Sequence, residues 1–375
     1  MRVIARRPGP PSTLGIDRHA IGVPVTSTGV VVDAPACRAN TWLADTVHDE
    51  LPPDAFGNPP VKMAFVGAAA REDLMARPVP GTDAGPWLVG TAVEHTLWPH
   101  IFRKPKSPPP VYQARKGVTT DMNGVFFVKV LDADKTTAKI QNDPTAGRRA
   151  NIAKITRVVE GTHVFPILRG EDVGVFRAVP ADNQAILVPQ RGMHGDPDLA
   201  ATAPKTHGFL NRFADLLAVR SSYRRYQAGQ PIWSTWSTGP YTFARFKVVW
   251  QEMSGGRFCA AYVGSTKVHA GAPRRVVVPD HKVYFVPLDT EDEAAFLAGL
   301  LNATMVRRAI SAYATQLSLG VSVVEYLDIP KYDTANRNHA ALVTLARTLN
   351  NRGQEPTPAE WAHLDRLVSV ILGIP

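Results

Sequence analysis

The chain has 375 residues, of which 45% are apolar, 20% charged and 8% aromatic, and it carries a formal net charge of +9. This is the composition of a folded globular protein and excludes fibrous and low-complexity classes, while two isolated cysteines, Cys37 and Cys259, cannot build a Cys-rich zinc site. No run approaches the roughly 18 apolar residues that span a bilayer, and Pro8, Pro10 and Pro11 interrupt the place where a signal peptide needs an apolar core, so a cytoplasmic protein without membrane contact is expected.

Along the chain, Gly22–Val32 and Val61–Val66 read as strands in a small α/β or β-rich segment covering residues 1–104. Prolines at 105, 108, 109 and 110 favour an extended connector and set a boundary there. Residues 105–288 then read as a β-rich unit, with strands at Val125–Leu131, Val164–Leu168 and Ala185–Val188. A helix is predicted over residues 207–227, capped by Thr206 and ended by Gly229, because Phe209, Phe213, Leu216 and Leu217 fall on one face. Phe243–Gln251 and Arg257–Val263 form a hairpin through Met253-Ser-Gly-Gly256, and Val276–Val278 and Val283–Val286 extend the same sheet. Residues 289–375 turn helical: Thr290 and Glu293 form a capping box ahead of one apolar stripe running from Phe296 to Ile310. Helices over 338–350 and 358–372 follow, the last with Thr357 and Glu360 as a capping box, Pro358 at its first position and Gly373 as its stop. The expected class is α+β, a β-rich recognition domain with a mixed sheet followed by C-terminal helices.

The positive charge is not evenly spread. Residues 103–169 hold 13 basic and 5 acidic side chains and residues 205–282 hold 12 and 3, whereas the rest of the chain is net negative. Tyr112, Phe126, Tyr223, Tyr226, Tyr241, Phe243 and Trp250 are interleaved with these cations, which describes a folded basic face suited to a polyanion rather than a disordered arm. Catalytic signatures are missing: neither GxxxxGK[ST], GxGxxG nor GxSxG occurs, and the scattered histidines give no metal-ligand spacing, so no metal, cofactor or catalytic residue is expected. Asn58-Pro59-Pro60-Val61 imitates the Asn-Pro-Pro-aromatic motif of amino-methyltransferases without its ring, and Phe65-Val-Gly67-Ala-Ala69 imitates their FxGxG cofactor loop with Ala69 in place of glycine. With seven residues between their starts, they read as a turn and a strand.

Five segments in order resemble the target-recognition region of N6-adenine DNA methyltransferases of the TaqI-like and type IIG restriction-modification kind. These are Gly117–Phe127, similar to Gly-x-x-Thr-Gly-x-Asn-x-x-Phe; His163–Asp172, similar to Pro-x-x-Arg-Gly-x-Asp; Phe246–Trp250, a lysine-containing strand; Asp280–Val286, similar to an Asp-x-x-Tyr-Phe strand though with three residues between Asp280 and Tyr284; and Phe296–Asn302, a helix ending in Leu-Asn. Asp121 stands where the family has glycine and Ala303 where it has serine. The resemblance implies an α+β specificity domain that binds double-stranded DNA across a basic cleft and works with a methyltransferase or restriction partner chain. The alternatives are a complete S-adenosylmethionine-dependent methyltransferase using residues 1–104, which alone would bring that cofactor to the chain, and a scaffold that binds no DNA. For the first reading, Arg115, Lys116, Arg220, Arg224, Arg225 and Lys247 are expected to touch phosphates or bases, and Thr119, Thr120 and Asn123 to make polar contacts. Arg169 is expected to pair within the chain with Glu171 or Asp172, Tyr223 and Tyr226 to pack, and Asn302 to cap its helix.

Overall fold

The computed structural model describes residues 13–16, 72–80, 87–104, 107–147, 149, 151–252, 258–313 and 320–375. The expected strands at 22–32 and 61–66, the two motif imitations, Cys37 and the turn at 253–256 lie outside these residues. The class is α+β. A six-stranded mixed sheet runs in the order Val278–Pro279, Val164–Leu168, Gln184–Leu187, Phe127–Ala133, Thr137–Asn142, Thr156–Glu160. Only its first pair is parallel. A four-stranded antiparallel sheet runs in the order Ala261–Val263, Phe246–Gln251, Val283–Leu288, Arg115–Lys116. A three-stranded antiparallel sheet joins Thr13–Ile16, Glu72–Pro78 and Trp87–Gly90.

Val164–Leu168 is buried at every position, which explains why its sequence is an unbroken apolar run rather than an alternation. Val164, Phe165 and Ile167 belong to a core with Val125, Phe126, Val128, Ile140, Leu187, Phe209 and Leu217, while Leu168 joins a smaller one with Val249, Val283 and Phe285. A second core gathers Val79, Leu88, Trp98 and Phe102 with Trp250 and Val286 and with Phe296, Leu301, Ile310, Leu342 and Leu364 of the C-terminal helices. The cores therefore do not follow the expected divisions at 104/105 and 288/289: each apolar sheet face is covered by whichever segment folds over it, and those segments come from both sides of each division.

Three elements differ from the sequence reading because long-range hydrogen bonds override local periodicity. The helix expected over 207–227 is split into Pro204–Asn211, Ala214–Ala218 and one turn of π-helix, Tyr223–Gln227. Thr206 does not cap it; the Glu160 carboxylate does, accepting from the Lys205 and Thr206 amides at 3.0 and 2.7 Å and from the Thr206 hydroxyl at 2.6 Å. The long stripe from Phe296 breaks at Ala303 into Glu291–Asn302 and Thr304–Tyr313, and Asp365 accepts from the Thr304 amide at 2.7 Å. Asn302 is buried and is not a cap: its side-chain amide accepts from the Ala260 N–H at 3.0 Å and donates to the Ala260 carbonyl at 2.7 Å, clamping the helix to the chain beside the sheet edge. Val276–Val278 does not extend the Phe246–Gln251 sheet, because Val276 pairs with Ser265 in a separate ribbon and Val278 pairs with Ile167 in the six-stranded sheet. By contrast, Pro358–Leu372 forms as its local signals direct, with the Thr357 and Glu360 capping box and Gly373 in the left-handed conformation. Among the described residues, no helix is long and apolar enough to cross a membrane.

The two larger sheets exchange chain at one place. Val278–Pro279 leaves the six-stranded sheet and, after Asp280–Lys282, becomes Val283–Leu288 of the four-stranded sheet. Beside it Arg115–Lys116 leaves the four-stranded sheet and reaches Phe127 of the six-stranded one through residues 117–126. The crossings are stitched by Gly117 N–H to the Val283 carbonyl and Val118 N–H to the Pro279 carbonyl, both at 2.9 Å. Gly117 is required there, since a Cβ would collide with the Asp280 backbone carbonyl.

Candidate nucleic-acid interface

This junction opens into a cleft of about 910 Å³. One wall is the loop Thr119–Asn123, which leads into the helical turn Asn123–Phe126; the others are Thr145–Gly147 with Arg149, Arg169–Glu171, and Asp280–Lys282. The loop is held by its own side chains. Thr120 accepts from the Met122 N–H at 3.2 Å and donates to the Asn123 Oδ1 at 2.6 Å, which fixes the Asn123 amide and leaves its N–H groups for a ligand. Asp121 occupies the left-handed region, φ 52°, where the resembled family has glycine. Its carboxylate accepts from the Ser222 N–H at 2.6 Å and the Ser221 hydroxyl at 3.3 Å, tying the loop to the start of the π turn.

The cleft is not the uniformly basic track that the charge blocks suggest. It is lined by Arg149, Arg169, Lys282 and His281, and also by Asp121, Glu171 and Asp280. Arg169 pairs with Glu171 at 3.0 Å, as expected from the sequence. Glu252 gathers Lys116 at 2.6 Å and Lys282 at 3.1 Å. Burial alone would raise the Glu252 carboxyl, but the hydrogen bonds from the two lysines hold it below the usual carboxylate range. Burial pushes the Asp280 carboxyl up to about 6, partly opposed by its hydrogen bond from the Lys282 amide.

Of the residues singled out in the sequence, Thr119 and Asn123 line the cleft, and Arg224 and Arg225 lie exposed on the π turn that Asp121 and Ser222 anchor beside it. Arg115 is exposed on the neighbouring strand, with its guanidinium 5.1 Å from the Tyr241 ring centre. Lys116 is half-buried and held by Glu252. Three assignments are corrected. Arg220 is 1% exposed, and its donors go to the carbonyls of Leu217, Thr120, Ile232 and Ser234 at 2.5–3.1 Å. It is a structural cross-brace, buried with four of its five N–H groups on backbone carbonyls, and burial lowers its pKa to about 10. Lys247 is 1% exposed, donates to the Ala244 carbonyl at 2.8 Å, and is lowered by burial to about 7. Thr120 is fully buried and its hydroxyl is spent within the loop. Sequence reasoning missed Arg149 and Lys282. Lys282 carried a signal, since it lies in the Asp280–Val286 segment that resembles the family's strand; Arg149 carried none beyond its place in a basic block.

No protein-family model matches the sequence. Over 152 residues, 40% of the chain, it is 28% identical to the type II methyltransferase M.NspV of Nostoc sp. (strain ATCC 29411 / PCC 7524). That match spans 29% of the length of the relative. Part of this chain is thus related in sequence to a type II methyltransferase. Among solved structures, the type IIL restriction-modification enzyme MmeI in complex with DNA superposes with a TM-score of 0.42 at 12% identity, covering 82% of this chain and 37% of that one.

Proposed function

We propose that this chain recognises a specific double-stranded DNA sequence as the specificity part of an adenine-N6 methylation or restriction-modification system, in the manner of TaqI-like target-recognition regions. Catalysis then comes from a methyltransferase or restriction partner chain. The observation that carries this reading is the cleft at the sheet junction. Its loop presents an oriented amide, Asn123, and a threonine, Thr119, beside an anchored turn bearing Arg224 and Arg225. Oriented amides and hydroxyls suit base edges, and exposed arginines suit phosphates or base edges. The sequence likeness to a type II methyltransferase supports the choice of DNA over other polyanions.

The test is duplex binding against salt. The logarithm of affinity should fall linearly with the logarithm of salt concentration, and Arg224→Ala should make that slope shallower by about 0.9, as one phosphate contact is removed. Absence of duplex binding at low salt removes the reading. Adding labelled S-adenosylmethionine to the same mixture separates it from the alternative, because label on adenine without a partner would make the chain itself a methyltransferase.

A further inference from the structure

One aromatic group on the surface is not accounted for by core packing. Tyr226, in the π turn, is 46% exposed, yet its ring lies against Trp236 with centroids 4.3 Å apart and planes 17° from parallel. Trp236 is fixed from behind. Its backbone exchanges two hydrogen bonds of 2.9 Å with Thr119, which lines the cleft. The turn is pinned at both ends, by Asp121 on the Ser222 amide at 2.6 Å and by Gln227, which bonds His194 at 2.6 Å and the Met193 carbonyl at 3.1 Å. The Tyr223 hydroxyl adds a bond to the Gln230 carbonyl at 2.7 Å.

The Arg225 guanidinium lies over the same Tyr226 ring, 5.2 Å from its centroid. Arg225 is exposed and forms no ion pair among the described residues. Stacking on an aromatic face restrains a long side chain and keeps the guanidinium plane fixed, while its N–H edge stays free. A planar, pre-oriented fork suits two acceptors side by side, on a phosphate or on guanine, whose N7 and O6 lie paired in the major groove; the unstacked neighbour Arg224 supplies a charge for the backbone, which leaves the held fork of Arg225 for a base edge.

We propose that Arg225, held on the Trp236–Tyr226 stack, reads a guanine of the target duplex, an inference that rests on the DNA-recognition reading above. Tyr226 is a positioning residue for it.

The experiment uses the full chain and duplexes recovered by selection from a random pool, with each guanine replaced in turn by 7-deazaguanine, which lacks the N7 acceptor. One replacement should weaken wild-type binding by roughly 5- to 100-fold, the range of one bidentate contact. The same replacement should leave Arg225→Ala unaffected, and Arg225→Lys should lose most of the discrimination because an ammonium has no fork. Tyr226→Ala should reduce discrimination at that same guanine and no other, while Tyr226→Phe keeps it. Matched thermal midpoints confirm that these exposed-site variants fold. The proposal is overturned if Arg225→Ala weakens every duplex equally and makes the salt slope shallower, which marks a phosphate contact, or if every guanine preference survives in that variant. A wild-type chain that binds selectively with no guanine-dependent position also overturns it. Loss of selective binding altogether removes the DNA-recognition reading with it, so the two failures are distinguishable.

Discussion

Replacing Lys247 by methionine tests whether a lysine in the resembled strand is an internal group rather than a DNA contact. The side chain is 1% exposed, the Ala244 carbonyl at 2.8 Å is its hydrogen-bond acceptor, and the Phe285 ring centre lies 5.9 Å from the amine. Burial lowers its pKa from 10.5 to about 7, so the folded state favours the neutral amine. Stability from this group is fully present above the unfolded value of 10.5 and is lost as pH falls through the folded value near 7. At about 1.4 kcal/mol per pKa unit, the penalty is about 4 kcal/mol at pH 7 and about 2 kcal/mol at pH 9. Methionine is of similar length and removes the ionisation, at a cost of about 1 kcal/mol for the lost hydrogen bond. Lys247→Met should therefore be the more stable protein at pH 7 by a few kcal/mol, and its advantage should shrink by about 2 kcal/mol between pH 7 and pH 9. Urea unfolding of both proteins at the two pH values measures this, with duplex binding at pH 7 alongside. Parallel stability changes with pH, or a specific loss of duplex affinity in Lys247→Met, would refute the reasoning.

Asp280 has the opposite sign. Its carboxyl is raised to about 6 from 3.8, so its stabilising share is full below pH 4 and is lost as pH rises through 6. Wild type should therefore lose about 2 kcal/mol relative to Asp280→Asn between pH 4 and pH 7, and a constant difference in chemical unfolding would contradict this. Asn302→Ala should destabilise by about 2–5 kcal/mol because both polar groups of Ala260 lose their partner, well beyond the roughly 1 kcal/mol of a lost helix cap. Gly117→Ala should cost about 1–3 kcal/mol in the same measurement, since the added methyl meets backbone rather than a movable side chain.

The elements legible in the sequence are those whose signals are local. Val164–Leu168 announces itself as a continuous apolar run, and Pro358–Leu372 carries its cap, its first-turn proline and its terminating glycine within its own sequence. The helix expected over 207–227 is broken by distant partners that local sequence does not show: Glu160 caps its start, and Arg220 and Asp121 hold the chain after Ala218. The site divided in the same way. The loop with Thr119 and Asn123 was found from motif resemblance, and the structure places both residues on the cleft. A count of charges, however, cannot tell Arg220, folded inward onto four carbonyls, from Arg224 on the surface four residues later. Nor does it show that Glu252 takes up Lys116 and Lys282. The Trp236–Tyr226 stack is invisible in the sequence because nine residues separate its two rings, and only the tertiary pairing of Trp236 with Thr119 brings it to the cleft.

Repeated rounds of selection from a random duplex library with the full chain, read by sequencing, test the central claim most directly. The account predicts enrichment of one short motif containing a guanine, with affinity for it well above that for scrambled duplexes at the same salt. A library that emerges unenriched, or retained in proportion to its length alone, would contradict it.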